Sequence, residues 1–483
     1  MSRLRLGLLL ALLPLAGCTR VGAPVTSPPA PGLAGVEPAA RVEPPSPEPT
    51  ATHPGAAPGS PDGHALLRPV RAFPEVRGLW VVRSSMTSEQ EVRDMVERAA
   101  SAGFNTLIVQ VRGRADAFYR STLEPRAETL GGPAAFDPLA LAIEEGHGRG
   151  MAVHAWVNTH LVWGPAARPR SPDHILNARP EWLAVPRELA GELRDMDPAD
   201  PRFVEALRRY AERNGGTVEG IYTSPSHPAV QERVHAVWMD LLDRYDLDGI
   251  HFDYIRFPSG DFDYSRGALE RFALWLDRAR SATYGRGDAV LGIDGGSADL
   301  VAAGAGGALG LAGRGSTGTG ARDALGLVDA YPEAWADFRR EQITELVARI
   351  YRDVKARRPE VVVSAAVVAD AEDAYSHRFQ DWRRWLADGI LDIAVPMAYT
   401  ADDGRFTRQI GEAREAAGSA RRTWAGIGAY LNGFDGTLAK IDIARAHDVG
   451  GLVLFSYDWA IGSEANGGRG PFLERIARDR FAP

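Results

Sequence analysis

One aspartate interrupts an apolar stretch in the middle of the chain. Asp253 lies inside the run Gly249-Ile-His-Phe-Asp-Tyr-Ile-Arg-Phe257, in which most side chains are apolar. Because a buried unpaired charge costs free energy, a carboxylate in such a run indicates either a functional group or an ion pair. As a functional group, Asp253 can serve as an acid, a base or a nucleophile. The structural alternative is an ion pair with Arg256 or Arg112.

Other carboxylates and aromatic residues follow the ends of further apolar runs. Carboxylates supply the acid, base or nucleophile at a glycosidic bond, and Trp and Tyr offer apolar faces to the C–H groups of sugars. The pattern therefore suits chemistry at a glycosidic bond. Asp253 is the first predicted catalytic carboxylate, and Asp402 or its neighbour Asp403 is the second, with Asp402 preferred. The alternative for this pair is helix capping, a common role of loop aspartates.

A second group of residues is expected to hold the sugar. The predicted substrate-binding residues are Arg112, Asp116, His154, Asn158, His251, Tyr399, Trp163 and Trp459, of which the two tryptophans would stack on the ring. Two alternatives stay open. Asp116 could anchor its own loop, and the two histidines could be hydrogen-bonded structural residues.

Several other chemistries find no support in the sequence. It has no G-x-S-x-G segment and no H-E-x-x-H segment. The only cysteine, Cys18, excludes an intramolecular disulfide and a cysteine-cluster metal site. Gly313, Gly315 and Gly318 form a G-x-G-x-x-G, but no strand precedes it, so we interpret these glycines as a flexible loop. Neither a metal nor a cofactor is expected.

The charge balance argues against nucleic acid as a partner. The 483 residues include 55 Lys and Arg against 63 Asp and Glu, which gives a net charge of −8. Without an excess of basic side chains the protein has no general electrostatic attraction for phosphate backbones. The expected partner is a polysaccharide.

The elements that would position these residues alternate between strands and helices. Short apolar runs separated by amphipathic stretches predict βα units and a parallel sheet. The predicted strands are 77–82, 106–112, 151–157, 249–256, 361–368, 391–399, 423–430 and 451–458. Eight such strands favour a (β/α)8 TIM barrel, in which the carboxyl ends of the strands meet at one mouth. A doubly wound open sheet is the alternative.

Two long insertions enlarge this predicted barrel, which would occupy residues 75–483. The first insertion spans about 159–226, and the second spans about 285–330. The second is rich in glycine and alanine, and we expect it to be a loose loop.

The N-terminal residues indicate export and attachment to a membrane. Residues 1–18 combine basic residues near the start with a short apolar stretch and small residues, as in a signal peptide. The segment Leu15-Ala16-Gly17-Cys18 resembles the lipobox of bacterial lipoproteins, which predicts lipidation of Cys18. Residues 19–74 are rich in proline and predict a disordered tether to the folded domain. A plain secretory signal with an incidental cysteine is the alternative.

Several sequence blocks resemble glycosyl-hydrolase-like family 10, a group of bacterial envelope proteins with a (β/α)8 barrel. These blocks are Arg77-Gly-Leu-Trp80, Gln110-Val-Arg112, Asp116-Ala-Phe-Tyr119, Phe136-Asp-Pro-Leu139, His154-Ala-Trp-Val-Asn158, Asp248-Gly-Ile-His-Phe-Asp-Tyr-Ile-Arg-Phe-Pro258, Val395-Pro-Met-Ala-Tyr399 and Phe455-Ser-Tyr457. The resemblance implies a glycoside hydrolase of envelope or extracellular polysaccharide, including peptidoglycan strands that have lost their stem peptides. It also implies that Asp253 is the acidic residue at the end of strand four, and that Asp116, His154 and Asn158 line the pocket.

One departure from the family bears on the mechanism. Many relatives have two consecutive aspartates where this chain has Asp253 and Tyr254. A phenol does not replace a carboxylate at neutral pH, since its ordinary pKa is near ~10. The second carboxylate would then come from another loop, or the N-acetyl group of the substrate would attack instead.

The sequence thus predicts a lipid-anchored glycoside hydrolase of the cell envelope that acts on an N-acetylhexosamine-containing glycan. Two rival hypotheses remain. The first is a glycan-binding lipoprotein that uses the same barrel mouth without catalysis, and the second is a hydrolase of other glucans.

Overall fold

The computed structural model describes residues 73–130, 133, 135–164, 166–284, 320–462 and 471–481. The predicted signal segment 1–18 with Cys18, the predicted tether up to residue 72 and the G-x-G-x-x-G glycines lie outside the described residues. Within the described part of the chain, no helix has the length and apolar character that crossing a bilayer requires.

Eight parallel strands form the central sheet. Their bounds are β1 Val76–Val81, β2 Thr106–Arg112, β3 Ala152–Asn158, β6 Gly249–Asp253, β7 Val362–Val367, β8 Ile393–Pro396, β9 Trp424–Gly428 and β10 Gly451–Phe455. Their order around the sheet is β8-β7-β6-β3-β2-β1-β10-β9. Each coincides with a predicted strand to within a few residues at either end.

The two outer strands of this sheet come together and close it into a barrel. Ala394 forms a parallel bridge with Thr423, and Met397 forms another with Gly426. A glycine is required at this seam because a Cβ on Gly426 would lie 2.6 Å from the carbonyl oxygen of Pro396. The predicted (β/α)8 barrel is therefore confirmed, and the open-sheet alternative is wrong.

Helices connect the strands and cover the outside of the barrel. The longer helices are Glu89–Ser101, Pro138–Gly148, Pro201–Arg213, Pro228–Arg244, Arg266–Tyr284, Gly320–Ala330, Pro332–Arg357, Asp403–Ala417 and Ala429–Ala446, the last interrupted at Gly433. The shorter ones are Ile175–Ala178, Ala190–Leu193, Ala371–Ser376, Trp382–Ala387, Tyr457–Ile461 and Phe472–Ile476.

The first of these helices shows why the sequence folds as it does locally. Ser88 caps the helix Glu89–Ser101 by accepting a hydrogen bond from the backbone N–H of Glu91. Its buried residues recur with helical spacing, at Val92, Met95, Val96 and Ala99, so one face of the helix packs on the barrel.

The first insertion contains a feature that the sequence did not reveal. Leu161–Trp163 (β4) and Ile221–Tyr222 (β5) pair as an antiparallel ribbon. This ribbon continues from the end of β3, where the backbone N–H of Thr159 donates to the carbonyl of Asp253 at 2.8 Å. The insertion is thereby fixed to the carboxyl end of β6.

The expectation of a loose loop throughout 285–330 is wrong at its end. Residues Gly320–Ala330 are helical. Ala324 and Val328 are buried in a small core cluster that includes Trp335 and Phe338 of the next helix. Burial of these apolar side chains outweighs the low helix propensity of the neighbouring glycines.

Candidate active site

Asp253 is the last residue of β6 and lies at the carboxyl end of the barrel. Its side chain is 7% exposed. One carboxylate oxygen accepts a hydrogen bond from the indole N–H of Trp156 at 3.1 Å, and the other accepts one from the backbone N–H of Tyr254 at 2.7 Å. Tyr254 has a φ of 49°, so the chain turns sharply directly after the carboxylate.

Burial raises the pKa of Asp253 to about 6, although Arg256 and the two hydrogen bonds oppose this shift. The predicted structural alternative for Asp253 was an ion pair with Arg256 or Arg112. Arg256 instead contacts Glu219 at 2.8 Å, and Arg112 contacts Glu124 at 3.3 Å. Asp253 is therefore a carboxyl that is about half protonated near pH 6, a protonation state from which it could act as an acid or a base.

A chain of hydrogen bonds fixes the neighbours of this carboxyl. The Oδ1 atom of Asn158 accepts from Trp156 at 2.9 Å and from the side-chain amide of Gln110 at 3.2 Å. The amide nitrogen of Asn158 donates to the carbonyl of Gly113 at 2.9 Å. Arg83 extends the chain by donating to Gln110 at 2.8 Å. These bonds hold Trp156 in place to donate to Asp253.

An aromatic wall lies beside the carboxyl. Tyr399 and Phe455 stack with their ring centroids 5.5 Å apart, and Tyr430 meets each of them edge-on at 6.0 Å. Burial raises the pKa of Tyr399, and the neighbouring charge of Asp253 raises it further. Tyr430 is 39% exposed, so the wall reaches solvent. Such a surface can stack on a sugar ring.

Arg112 and Trp163, two of the predicted substrate-binding residues, are buried and make structural contacts. Arg112 is 2% exposed and donates to the backbone carbonyls of Asn158 and Thr159, so it fixes the end of β3. Trp163 is 3% exposed within β4 and presents no free ring face to a sugar. The insertion and the buried Arg112–Glu124 pair enclose these side chains, and their contact with a substrate stays a prediction.

The two predicted histidines lie inside the barrel below the mouth. His251 is fully buried, where Nε2 accepts from Trp80 at 3.1 Å and Nδ1 lies 2.9 Å from the hydroxyl of Ser364. His154 lies two positions deeper on its strand than Trp156 and packs on Trp424. Burial lowers the pKa of His154 to about 4, so it is neutral at pH 7. The hydrogen bonds of His251 agree with the structural alternative, and substrate contact by either histidine stays a prediction.

The other predicted residues lie on the segments that follow β2, β8 and β10. Asp116 is half-buried and accepts a hydrogen bond from the backbone N–H of Arg114 at 2.9 Å, as a loop anchor does. Asp402 is exposed and caps the helix Asp403–Ala417, and its hydrogen bond from the N–H of Arg405 lowers its pKa. Trp459 is half-buried and meets Phe472 edge-on at 5.1 Å. Catalysis by Asp402 and stacking by Trp459 stay predictions.

The structure also brings together residues that the sequence did not single out. Glu219 of the first insertion accepts from Tyr222 at 2.7 Å and from Arg256 at 2.8 Å. Burial alone would raise the pKa of Glu219, but the charge of Arg256 and the hydrogen bond from Tyr222 outweigh burial, so the net shift is downward. The carboxylate therefore stays charged, and its charge acts on Asp253. No sequence signal marks Glu219, because it lies inside the first insertion and does not follow the end of any predicted strand. Within the described ranges no cluster of His, Cys, Asp and Glu has the composition of a metal site.

The sequence of this chain matches the model of a known protein family. The model of the glycosyl hydrolase-like 10 family matches residues 75–425. Two curated relatives are glycosyl hydrolase YngK of Bacillus subtilis, 23% identical over 68% of this chain and 51% of its own length, and glycosyl hydrolase DigH of Escherichia coli K12, 24% identical over 64% and 58%. The chain therefore spans just over half the length of these relatives.

Solved structures share the fold at low sequence identity. The catalytic domain of the β-amylase of Paenibacillus polymyxa is 11% identical with a TM-score of 0.53, and the match covers 84% of this chain and 98% of that domain. The glycoside hydrolase domain of PgaB (BpsB) from Bordetella bronchiseptica is 12% identical with a TM-score of 0.50 and the same coverage. At these identities the likeness establishes the barrel.

Proposed function

The chain belongs to the glycosyl hydrolase-like 10 family, and from this membership and the barrel mouth we propose that it hydrolyses glycosidic bonds in a polysaccharide. The observation that carries the proposal is Asp253, a buried carboxyl with a pKa of about 6 at the carboxyl end of β6. The aromatic wall of Tyr399, Phe455 and Tyr430 beside it suits the apolar face of a sugar.

In the proposed mechanism Asp253 acts first as an acid and then as a base. Its proton passes to the glycosidic oxygen while the bond from that oxygen to C1 breaks, and the departing sugar keeps the proton as a new hydroxyl group. Asp253 is then a carboxylate, held by the N–H groups of Trp156 and Tyr254. It accepts a proton from the water that attacks C1, which restores the acid.

For the group that attacks C1 first, we propose the N-acetyl oxygen of an N-acetylhexosamine substrate. Its bond to C1 forms as the glycosidic bond breaks, and it breaks again when water attacks C1, which restores the acetamido group. Three features support this route over a protein carboxylate. Glu219 is paired with Arg256, Asp402 caps a helix, and Tyr254 occupies the position of the second aspartate in relatives. The proposed substrate class is therefore an N-acetylated cell-wall glycan, such as peptidoglycan strands without stem peptides.

The test measures new reducing ends released from stripped peptidoglycan strands by wild-type protein, Asp253→Asn and Asp402→Asn. We expect Asp253→Asn to lose at least ~100-fold in rate, the scale of acid–base catalysis, and Asp402→Asn to keep wild-type rates. Circular dichroism shows whether each variant is folded. Wild-type activity in a folded Asp253→Asn variant overturns the assignment of Asp253, and loss of activity in Asp402→Asn identifies that residue as the second carboxylate.

Two further measurements distinguish the rival functions. Removal of the N-acetyl groups from the glycan abolishes cleavage if the substrate supplies the nucleophile. A panel of polysaccharides analysed by product mass identifies an enzyme of other glucans. Retention of the protein on glycan with no product at any concentration shows a binding protein instead of an enzyme.

We also propose that the enzyme acts outside the cytoplasm, anchored through lipid on Cys18. The lipobox-like segment Leu15-Ala16-Gly17-Cys18 supports this location, and the proline-rich residues that follow would let the barrel reach an insoluble glycan. In a bacterial host, labelled palmitate should enter the wild-type protein and not Cys18→Ala. Equal labelling of both proteins contradicts the proposal.

A further inference from the structure

Two arginines lie together at the barrel mouth, close to Asp253. Arg83 follows β1 and Arg114 follows β2, and both are half-buried. The side chain of Arg83 packs against Gly113, and a Cβ added to Gly113 would lie 2.4 Å from the Nη1 atom of Arg83. Arg114 donates to the carbonyl of the same Gly113 at 2.9 Å and lies over Gly164, where a Cβ would be 2.9 Å from its Nε atom. Two glycines thus make room for two adjacent guanidinium groups.

These guanidinium groups differ from the other buried arginines of the mouth. Arg112 and Arg256 each have a carboxylate partner, Glu124 at 3.3 Å and Glu219 at 2.8 Å. Arg83 and Arg114 donate to neutral oxygens instead, the amide of Gln110 and the carbonyl of Gly113.

The charges around the pair leave an excess of positive charge. Burial lowers the pKa of Arg83, and the like charge of Arg114 lowers it further. Asp116 acts on Arg83 in the opposite sense, but burial and the charge of Arg114 outweigh it, so the net shift of the pKa of Arg83 is downward. Holding two like charges together in a partly buried place costs free energy, which a bound anion would offset.

The pair lies within reach of the reacting group. Arg83 is joined to Asp253 through Gln110, Asn158 and Trp156 by an unbroken series of hydrogen bonds between 2.8 and 3.2 Å. Both arginines also act electrostatically on Tyr254, the residue after Asp253. An anion held here would belong to a sugar at or next to the bond that Asp253 cleaves.

We propose that Arg83 and Arg114 bind a carboxylate on the sugar at or next to the scissile bond, so that the enzyme selects acidic glycans over neutral ones. This inference rests on the proposed glycosidase function. A guanidinium matches a carboxylate geometrically with two parallel N–H···O bonds, which a sugar hydroxyl does not accept in the same way. The carboxylate could belong to a lactyl ether substituent, as on muramic-type sugars, or to the ring of a uronic acid.

The experiment compares kcat/KM on three substrates. They are stripped peptidoglycan strands, the same strands after chemical reduction of their carboxyl groups to alcohols, and a polymer of N-acetylhexosamine and uronic acid. We expect reduction of the carboxyl groups to lower kcat/KM about 10- to 100-fold, as for loss of hydrogen bonds to a charged group. Cleavage of the uronic polymer indicates the ring carboxylate, and its resistance indicates the lactyl carboxylate.

Variants then assign the preference to the arginines. Arg114→Met is the main variant because its side chain donates only to a backbone carbonyl, and Arg83→Met is the second. Arg114→Met should lower kcat/KM on the carboxylated strands and leave it nearly unchanged on the reduced strands. Arg83→Met also removes the hydrogen bond to Gln110, so it should lower kcat/KM on both substrates, and more on the carboxylated strands. Arg352→Met removes the same charge from an exposed position on the helix Pro332–Arg357 and should keep the wild-type ratio. An unchanged substrate ratio in both mouth variants overturns the proposal.

A binding measurement separates this inference from the proposed function. Dissociation constants of Asp253→Asn for soluble strands, with and without reduced carboxyl groups, are measured by calorimetry. Tighter binding of the carboxylated strands supports the arginine site even if wild-type protein releases no product, a result that by itself overturns the hydrolase. Equal dissociation constants, together with equal kcat/KM values on the two strands, overturn the arginine site and leave the hydrolase intact.

Discussion

Replacement of Asp253 by asparagine should make the protein more stable relative to wild type as the pH rises. Burial raises the pKa of this carboxyl from 3.8 to about 6. Because the folded state holds the proton more tightly than the unfolded chain, Asp253 contributes stability that is fully present below pH 3.8 and is lost as the pH rises through about 6. An amide does not titrate in this range, so the variant avoids that loss.

The size of the effect follows from the same numbers. A pKa that rises from 3.8 to about 6 corresponds to about 3 kcal/mol of lost stability at high pH. Of this, about 2 kcal/mol develops between pH 4 and pH 8. The amide also has a fixed cost of about 1–3 kcal/mol, since it offers only one acceptor oxygen to the N–H groups of Trp156 and Tyr254. This fixed cost cancels when the same variant is compared at two pH values.

The assay is urea unfolding of both proteins from pH 4 to pH 8, followed by tryptophan fluorescence. The difference in free energy of unfolding, variant minus wild type, should rise by about 2 kcal/mol over this range. Asp402→Asn is the matched control, because a backbone hydrogen bond from Arg405 lowers the pKa of Asp402 from 3.8, so its difference should stay nearly constant above pH 4. A difference for Asp253→Asn that stays constant with pH, or falls, refutes the raised pKa and with it the acid role.

Three further predictions concern activity and packing. If Asp253 is the general acid, kcat/KM should fall about tenfold for each pH unit above about 6, and a pH–rate profile that stays flat to pH 8 contradicts this role. Gly426→Ala should lower the free energy of unfolding by about 1–3 kcal/mol, because a Cβ would lie 2.6 Å from the carbonyl oxygen of Pro396 at the barrel seam; Gly148→Ala, with open space at the Cβ position, is the control and should be near neutral in urea unfolding. Ser364→Ala should cost about 1–3 kcal/mol in the same assay by leaving the buried Nδ1 of His251 without its hydroxyl partner, and no change would show that this hydrogen bond adds no net stability.

Much of the barrel could be predicted because its signals are local. Each strand is a short apolar run, and a helix such as Glu89–Ser101 is marked by its capping serine and the spacing of its apolar residues. Asp253 could be found in the same way, because burying a carboxylate inside an apolar run costs free energy unless the carboxylate has a partner or a function. These features depend on residues that are close together in the chain.

The depth of each side chain could not be predicted, because it depends on contacts between distant segments. His154 and Asn158 are four residues apart on β3, so their side chains face the same side of the strand. Yet His154 lies deep in the barrel beside Trp424, and Asn158 lies at the mouth beside Asp253. Trp163 looked available to a sugar until the pairing of β4 with β5 buried it.

The sequence by itself therefore determined the eight strands, their connecting helices and one carboxylate of the site. Only the tertiary structure decided which polar groups surround that carboxylate. Arg83, Arg114 and Glu219 come from three segments that meet only after the barrel has closed and the first insertion has packed on it. The physical reason is that the pKa and the ion pairing of a side chain are set by the neighbours that folding brings to it, which no local pattern records.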